Sequence, residues 1–320
     1  MDALAITEAS GVEHASETPG KMHACGHDGH VAMLLGAFSL ILDRVDQLKG
    51  PVKFFFQPAE EGGGGGKQMV AAGVLDSPRV DAVFGLHNNI PHLLEMGQIA
   101  YCPGPAMAGT GLFNIKIQGE GGHAAFPHDC IDPIFIGAQI VSGLQGIVSR
   151  SSDPLLSSVV SVTQFHAGTA FNVIPEAAEI KGTFRALDPD QLKFLESEIA
   201  RRAQSIAEAF GATTDLTCKI NYPVLVNDSQ TDEVFFKVVK SLGRDADLIE
   251  VPPIMGGEDF AFYQQEVPGT FWFLPSRRPG AEKVYMCHHP KYDFNDEILA
   301  DGIIMHAELA LQFADLWKSS

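Results

Sequence analysis

Positive charge is scarce in this chain: 22 Lys and Arg stand against 40 Asp and Glu in 320 residues, a formal net charge of −18. That balance excludes nucleic acid as a partner, because phosphates would be repelled rather than neutralised. It argues equally against an anionic membrane surface. Long apolar runs are missing too, since none approaches the ~18–20 residues that cross a bilayer. The opening MDALAITEAS lacks the pattern of a signal peptide. Cysteine is sparse: Cys25, Cys102, Cys130, Cys218 and Cys287 are odd in number and no two are spaced as CxxC. This argues against a disulfide framework. It points to a reduced, cytoplasmic protein whose thiols are buried or act as ligands.

What is present has two grammars. HVAMLLGAFSLILDRVDQL (30–48) is apolar on most faces and predicts a buried helix, and PVKFFFQP (51–58) has the length and composition of a strand. KQMVAAGVL (67–75) predicts a helix, and VDAVFGLHNN (80–89) and GQIAYC (97–102) predict strands. Such alternation suggests a parallel sheet with helices on its faces. From about 108 the order becomes β-α-β-β-α-β, that of a ferredoxin-like module. Its strands are expected in GTGLFNIKIQ, at 157–168, at 177–187 and at 213–223, and its helices at 132–150 and from the N-cap Asp188 to the stop at Gly211. The α/β grammar resumes at TDEVFFKVVKSLG and ends in a long helix at 296–317. The expected organisation is a catalytic domain from residues 1–107 and 223–320, interrupted by an inserted domain at 108–222.

Four stretches concentrate metal-capable side chains: His23-Ala-Cys25-Gly-His27-Asp28-Gly-His30, Glu60-Glu61, His87, and Cys287-His288-His289. A Cys/His/Glu set without CxxC suits a catalytic divalent site better than a closed structural zinc site. Glu60-Glu61 and His87 each follow an apolar run, which places them at the carboxyl edge of a parallel sheet, where ligands bind. On an extended segment the two adjacent glutamates would point in different directions and divide their work. GGGGGK is not a phosphate loop, because Glu61 and Gln68 stand where that motif needs Gly and Ser/Thr. Cys25 with His27 also fits a thiol nucleophile and its base, although the neighbouring acids and histidines make metal ligation the more economical reading. In the inserted module His123 sits in a glycine-rich turn, Asn172 precedes a proline turn and Arg185 interrupts an apolar strand. Spacing alone reads these three equally well as ordinary surface residues.

Assembled, MDALAI, MHACGHDGH, QPAEEGGGG, GLHN, GGHAAFPH, FNVIP, MGGEDFAF and HHPKYDFND resemble the metal-dependent aminoacylase/carboxypeptidase-type amidohydrolases, and among them the hippurate and indoleacetyl-amino-acid hydrolases. The motifs run in family order along the whole chain. The resemblance implies an α/β catalytic domain holding two divalent ions (Zn, Mn, Co or Ni) and an inserted βαββαβ lid through which homodimers form. It implies Cys25, His27, Glu61, His87 and His288 as metal ligands, with His289 at a variable position, and Glu60 as general base. His123 is similar to a residue that reaches a neighbouring subunit's site to stabilise the oxyanion. Asn172 and Arg185 resemble substrate contacts, the latter through a bidentate fork. The implied reaction is hydrolysis of an N-acyl amino acid. Relatives usually carry Arg-Ala-Asp ahead of the Met-Asp-Ala-Leu stretch, and by resemblance that earlier aspartate orients a ligand or the base. Asp2 then takes a different position, and a helix and strands found ahead of this point in relatives are not in this sequence. Two alternatives accompany this expectation: a catalytically impaired metal-binding remnant, and a di- or tripeptidase of the same clan.

Overall fold

The computed structural model describes residues 2–88, 94–281 and 283–317. Met1 of the MDALAI stretch and Asn89 of the 80–89 run lie outside the described residues. The chain divides into two compact units, one of residues Met1–Ala106, Val226–Ile254 and Asp259–Ser320, the other of Met107–Leu225 and Met255–Glu258.

The first unit is built on a four-stranded sheet ordered Val83–Asn88, Gly269–Leu274, Ile99–Tyr101, Leu248–Glu250. The outer pairs are parallel and the central pair is antiparallel, joined at Phe273 and Ala100. Every residue of Gly269–Leu274 is buried, as expected of a strand covered on both faces. Helix Ser229–Ser241 lays Val234, Phe235, Val238 and Val239 against Trp272 and Leu274 in one core cluster. Each such side chain contributes about 1.5–3 kcal/mol by leaving water. Helix His27–Leu42 packs Ala37 and Ile41 against Ala307 and Leu311 of the closing helix Leu299–Trp317.

Two elements differ from expectation here. The helix at 27–42 is not buried all round: Leu35, Phe38 and Leu42 are 52%, 42% and 53% exposed. Apolar content fixed its type, but a single face found partners. Residues 51–58 join no ladder among the described residues, although Phe54 contacts Phe38 and Phe55 contacts Tyr263 at ring distances of 5.2 and 5.5 Å. Aromatic composition favours an extended chain, whereas a strand also needs a neighbour to receive its hydrogen bonds.

The second unit is a β-α-β-β-α-β module. Its antiparallel sheet runs Ser158–Ala167, Ala177–Ala186, Gly109–Gln118, Thr213–Tyr222. Strict alternation in Ala177–Ala186 buries Ala178, Ile180, Phe184 and Ala186. They share a core with Ile136 and Ile140 of helix Pro133–Gly146 and with Leu195 and Ile199 of helix Pro189–Ala209. Asp132 and Asp188 cap these helices, accepting from the backbone N–H groups of Ile134 and Gln191 at 2.8 and 2.7 Å. Among the described residues no helix is long and apolar enough to cross a membrane.

Candidate metal centre

The five predicted ligands, Cys25, His27, Glu61, His87 and His288, lie in the first unit, as does Glu60. Cys25 and His27 flank Gly26, which caps helix His27–Leu42 at φ 79°. A side chain at Gly26 would come within 2.6 Å of the Tyr292 hydroxyl and 2.8 Å of the Asn88 amide, so glycine is needed for both its conformation and its space. His87 projects from the end of strand Val83–Asn88 with Nε2 3.4 Å from Cys25 Sγ. Its Nδ1–H donates to the Asn88 carbonyl oxygen, which leaves Nε2 as the free lone pair. Burial pushes the His87 ring down to about 4 against the pull of that carbonyl, so it is neutral near pH 7.

Glu60 and Glu61 sit on a tight turn, Glu60–Gly63, entered through Ala59 at φ 58° and left through Gly64 at φ 62°. The expected extended segment is therefore a kinked turn, with positive φ at Ala59, Gly62 and Gly64 and a non-helical Glu61 between them, which the glycine run makes accessible. The Oε1 oxygen of Glu61 is buried without a hydrogen bond, although His288 Nε2 stands 3.1 Å away. His288 itself holds φ 70°, with its backbone N–H bonded to Ala24 O at 2.7 Å. His289 turns elsewhere, its ring stacked on Tyr285 at 4.5 Å.

Drawn from the predicted ligands and Glu60 alone, three groups of ligand atoms lie within 4.8 Å of one another: Cys25 with His27 and His87, Cys25 with Glu61 and His288, and His27 with Glu60 and Glu61; an Asp259 carboxylate oxygen comes equally near Glu60. The thiol of Cys25 is pushed up first by hydrogen bonding to Cys287, then by burial and by the charges of Glu61 and Glu60. Cys287 moves the opposite way, because the Cys25 hydrogen bond stabilises its thiolate. Soft sulfur, imidazole nitrogen and an orphaned buried carboxylate oxygen form a donor set that fits divalent transition metals. A cation there would offset the crowding of Glu60, Glu61 and the thiols.

Sequence reasoning missed one member. Asp2 Oδ1 lies 2.7 Å from His27 Nδ1, and its Oδ2 accepts from the Glu61 backbone N–H at 2.8 Å. Burial raises its pKa, but Glu61 and His27 outweigh that and hold the carboxyl below its ordinary value. Asp2 thus makes an orienting contact of the kind that the resemblance assigned to an earlier aspartate. Its signal was present in MDALAI. His30 is a supporting group: its Nε2 accepts from the Asn88 backbone N–H at 2.9 Å, and its ring lies 4.6 Å from that of His87. Burial lowers its pKa well below the usual histidine range. The Asn88 side-chain amide in turn donates to the Tyr292 hydroxyl.

The remaining candidates belong to the second unit. His123 is exposed on strand Gly122–His123, opposite Val173. Its Nδ1 accepts from the Ala125 N–H at 3.0 Å, and the Ala124 N–H donates to Asn172 O at 3.2 Å, so His123 and Asn172 share one corner. Arg185 lies between Thr110 and Val159 of the neighbouring strands, with its pKa lowered by burial.

A sequence profile described as Peptidase family M20/M25/M40 matches residues 1–312. The chain belongs to this family. Among M20 relatives it is 43% identical over 324 residues to IAA-amino acid hydrolase ILR1-like 4 of Arabidopsis thaliana, which covers 100% of this chain and 73% of the relative. It is 39% identical over 318 residues to thermostable carboxypeptidase 2 of Saccharolobus solfataricus, covering 98% and 79%. The crystal structure of the Bacillus subtilis YXEP protein, a dinuclear metal binding peptidase of family M20, superposes with a TM-score of 0.81 at 36% identity, covering 98% of this chain and 79% of that one. Like these M20 proteins, the chain is an amidohydrolase with an α/β metallohydrolase fold.

Proposed function

We propose that this M20 protein hydrolyses the amide bond of N-acyl amino acids, hippurate-like or acetyl and indoleacetyl conjugates, to a carboxylic acid and an amino acid. The observation that carries this reading is the overlap of three close groups, Cys25 with His27 and His87, Cys25 with Glu61 and His288, and His27 with Glu60 and Glu61. The name of the Arabidopsis relative adds weight to the amino-acid-conjugate class. The five predicted ligands would hold two divalent ions, of Zn, Mn, Co or Ni. When bound, such a pair polarises the amide carbonyl and lowers the pKa of water.

The chain's own groups do the rest. Glu60 accepts a proton from the attacking water and delivers it to the leaving nitrogen. Asp2 holds His27 with its Nδ1–H occupied, so that Nε2 faces the site, and it fixes the backbone at Glu61. His123 stabilises the carbonyl oxygen as charge develops, reaching the site from a second copy in a homodimer formed through the inserted module. Asn172 and Arg185 bind the substrate, Arg185 through the carboxylate that every N-acyl amino acid carries.

A peptidase is the second reading, favoured by the carboxypeptidase relative. Release of free amino acid from hippurate, N-acetyl and indoleacetyl conjugates and dipeptides, compared in one assay with metal-loaded protein, separates the two. Faster release from the conjugates is expected, preference for dipeptides selects the peptidase, and no release from any of them overturns both.

A further inference from the structure

The ten residues from Gln57 to Gly66 carry both glutamates and include five consecutive glycines. Such a segment has little stiffness of its own, because each glycine loses more freedom on ordering than any other residue. Yet a general base and a ligand must be held within about half an ångström to work. One buried carboxylate ties both ends of the segment together. Asp259 is fully buried. Its Oδ1 accepts from Gln57 Nε2 at 2.6 Å and its Oδ2 accepts from the Gly66 backbone N–H at 2.8 Å. Gln57 is fixed in turn, since its Oε1 accepts from the Tyr263 hydroxyl at 2.7 Å. Tyr263 sits in a core cluster with Leu75 and Val83.

The glycines match this closure. A side chain at Gly66 would meet Asp259 O at 2.6 Å and Gln57 Oε1 at 3.1 Å, and one at Gly65 would meet Pro58 O at 1.6 Å. The two ends can therefore approach each other only without side chains there. Burial raises the Asp259 pKa, while Gly66 and Gln57 pull it back.

We propose that Asp259 is a positioning residue, a clamp that fixes the turn bearing Glu60 and Glu61 by bonding both ends of the 57–66 loop. The proposal rests on the metal-centre reading of those glutamates and adds what holds them. It makes a chemical distinction between substitutions. In Asp259→Asn the carbonyl oxygen still accepts from Gly66. The new amide donates to Gln57 if that side chain turns its oxygen toward it, and the Tyr263 hydroxyl then accepts instead of donating. Asp259→Ala loses both bonds.

The test is titration of the full-length metal-free protein with Co(II), followed by the absorption of the bound ion, with the thermal midpoint measured alongside. Contacts behind ligands typically change metal affinity 10–100-fold. Asp259→Ala is expected to bind Co(II) 10–100-fold more weakly, with an altered spectrum. Asp259→Asn is expected to bind within about threefold of the wild type. Gln57→Ala, a milder change that leaves the Gly66 bond, is expected to weaken binding about tenfold and stands in if Asp259→Ala does not fold. Wild-type affinity in both Asp259→Ala and Gln57→Ala overturns the clamp, as does equal loss in Asp259→Asn and Asp259→Ala at matched thermal midpoints. A wild type that binds no Co(II) overturns instead the metal-centre reading on which the clamp rests. Absence of turnover with normal Co(II) binding refutes the substrate assignment and leaves the clamp standing.

Discussion

Asp2 joins two parts of the site that are far apart in sequence: one carboxylate oxygen meets His27 Nδ1 at 2.7 Å and the other accepts the Glu61 N–H at 2.8 Å. One side chain thus sets both an imidazole and the backbone of a neighbouring carboxylate. Asp2→Asn has one acceptor oxygen for these two donors. A loss of about 10–100-fold in metal affinity is expected, read by titrating metal-free protein. Unchanged affinity would show that His27 needs no such support.

Glu60 and Glu61 are adjacent but differently placed. Glu61 has the orphaned buried oxygen and the 3.1 Å approach to His288. Glu60→Gln is therefore expected to abolish turnover with metal content near that of the wild type, while Glu61→Gln lowers metal occupancy. Equal metal loss in both variants, measured by elemental analysis, refutes this division.

Away from the site, His306 lies beside Trp272, ring centroids 5.1 Å apart, and burial pushes its pKa down to about 4. The unfolded ring titrates near ~6.5. The unfolded state therefore takes up a proton first as pH falls, and the stability present above pH ~6.5 is lost progressively toward pH 4. The full shift corresponds to about 3 kcal/mol, reduced to about 2 kcal/mol for a ring that is only part-buried. Denaturant unfolding of wild type and His306→Gln at pH 8, 6 and 4 checks this. The difference between the two curves should tilt in this window; parallel curves contradict it.

Much of this was legible in the sequence. The β-α-β-β-α-β order followed from periodicity, because alternation and the Asp188 cap are local properties that the structure keeps. The metal-capable stretches were visible as residue types, since Cys, His and Glu are conspicuous in apolar surroundings. What could not be read was long-range. PVKFFFQP looks like a strand, but pairing is decided by a partner that the segment does not encode. The exposed Leu35, Phe38 and Leu42 show the same limit, because composition does not say which face of a helix finds a neighbour. Asp2 and Asp259 act across 59 and 193 residues on Glu61 and Gly66, and no spacing rule reaches that far.

The central claim is that amide hydrolysis depends on cations held by Cys25, His27, Glu61, His87 and His288. The most direct measurement is amino acid release from N-acyl amino acids by one preparation before chelation, after chelation and after metal is restored. Release that vanishes on chelation and returns with Zn, Mn, Co or Ni is predicted. Release that persists in fully metal-free protein would contradict it.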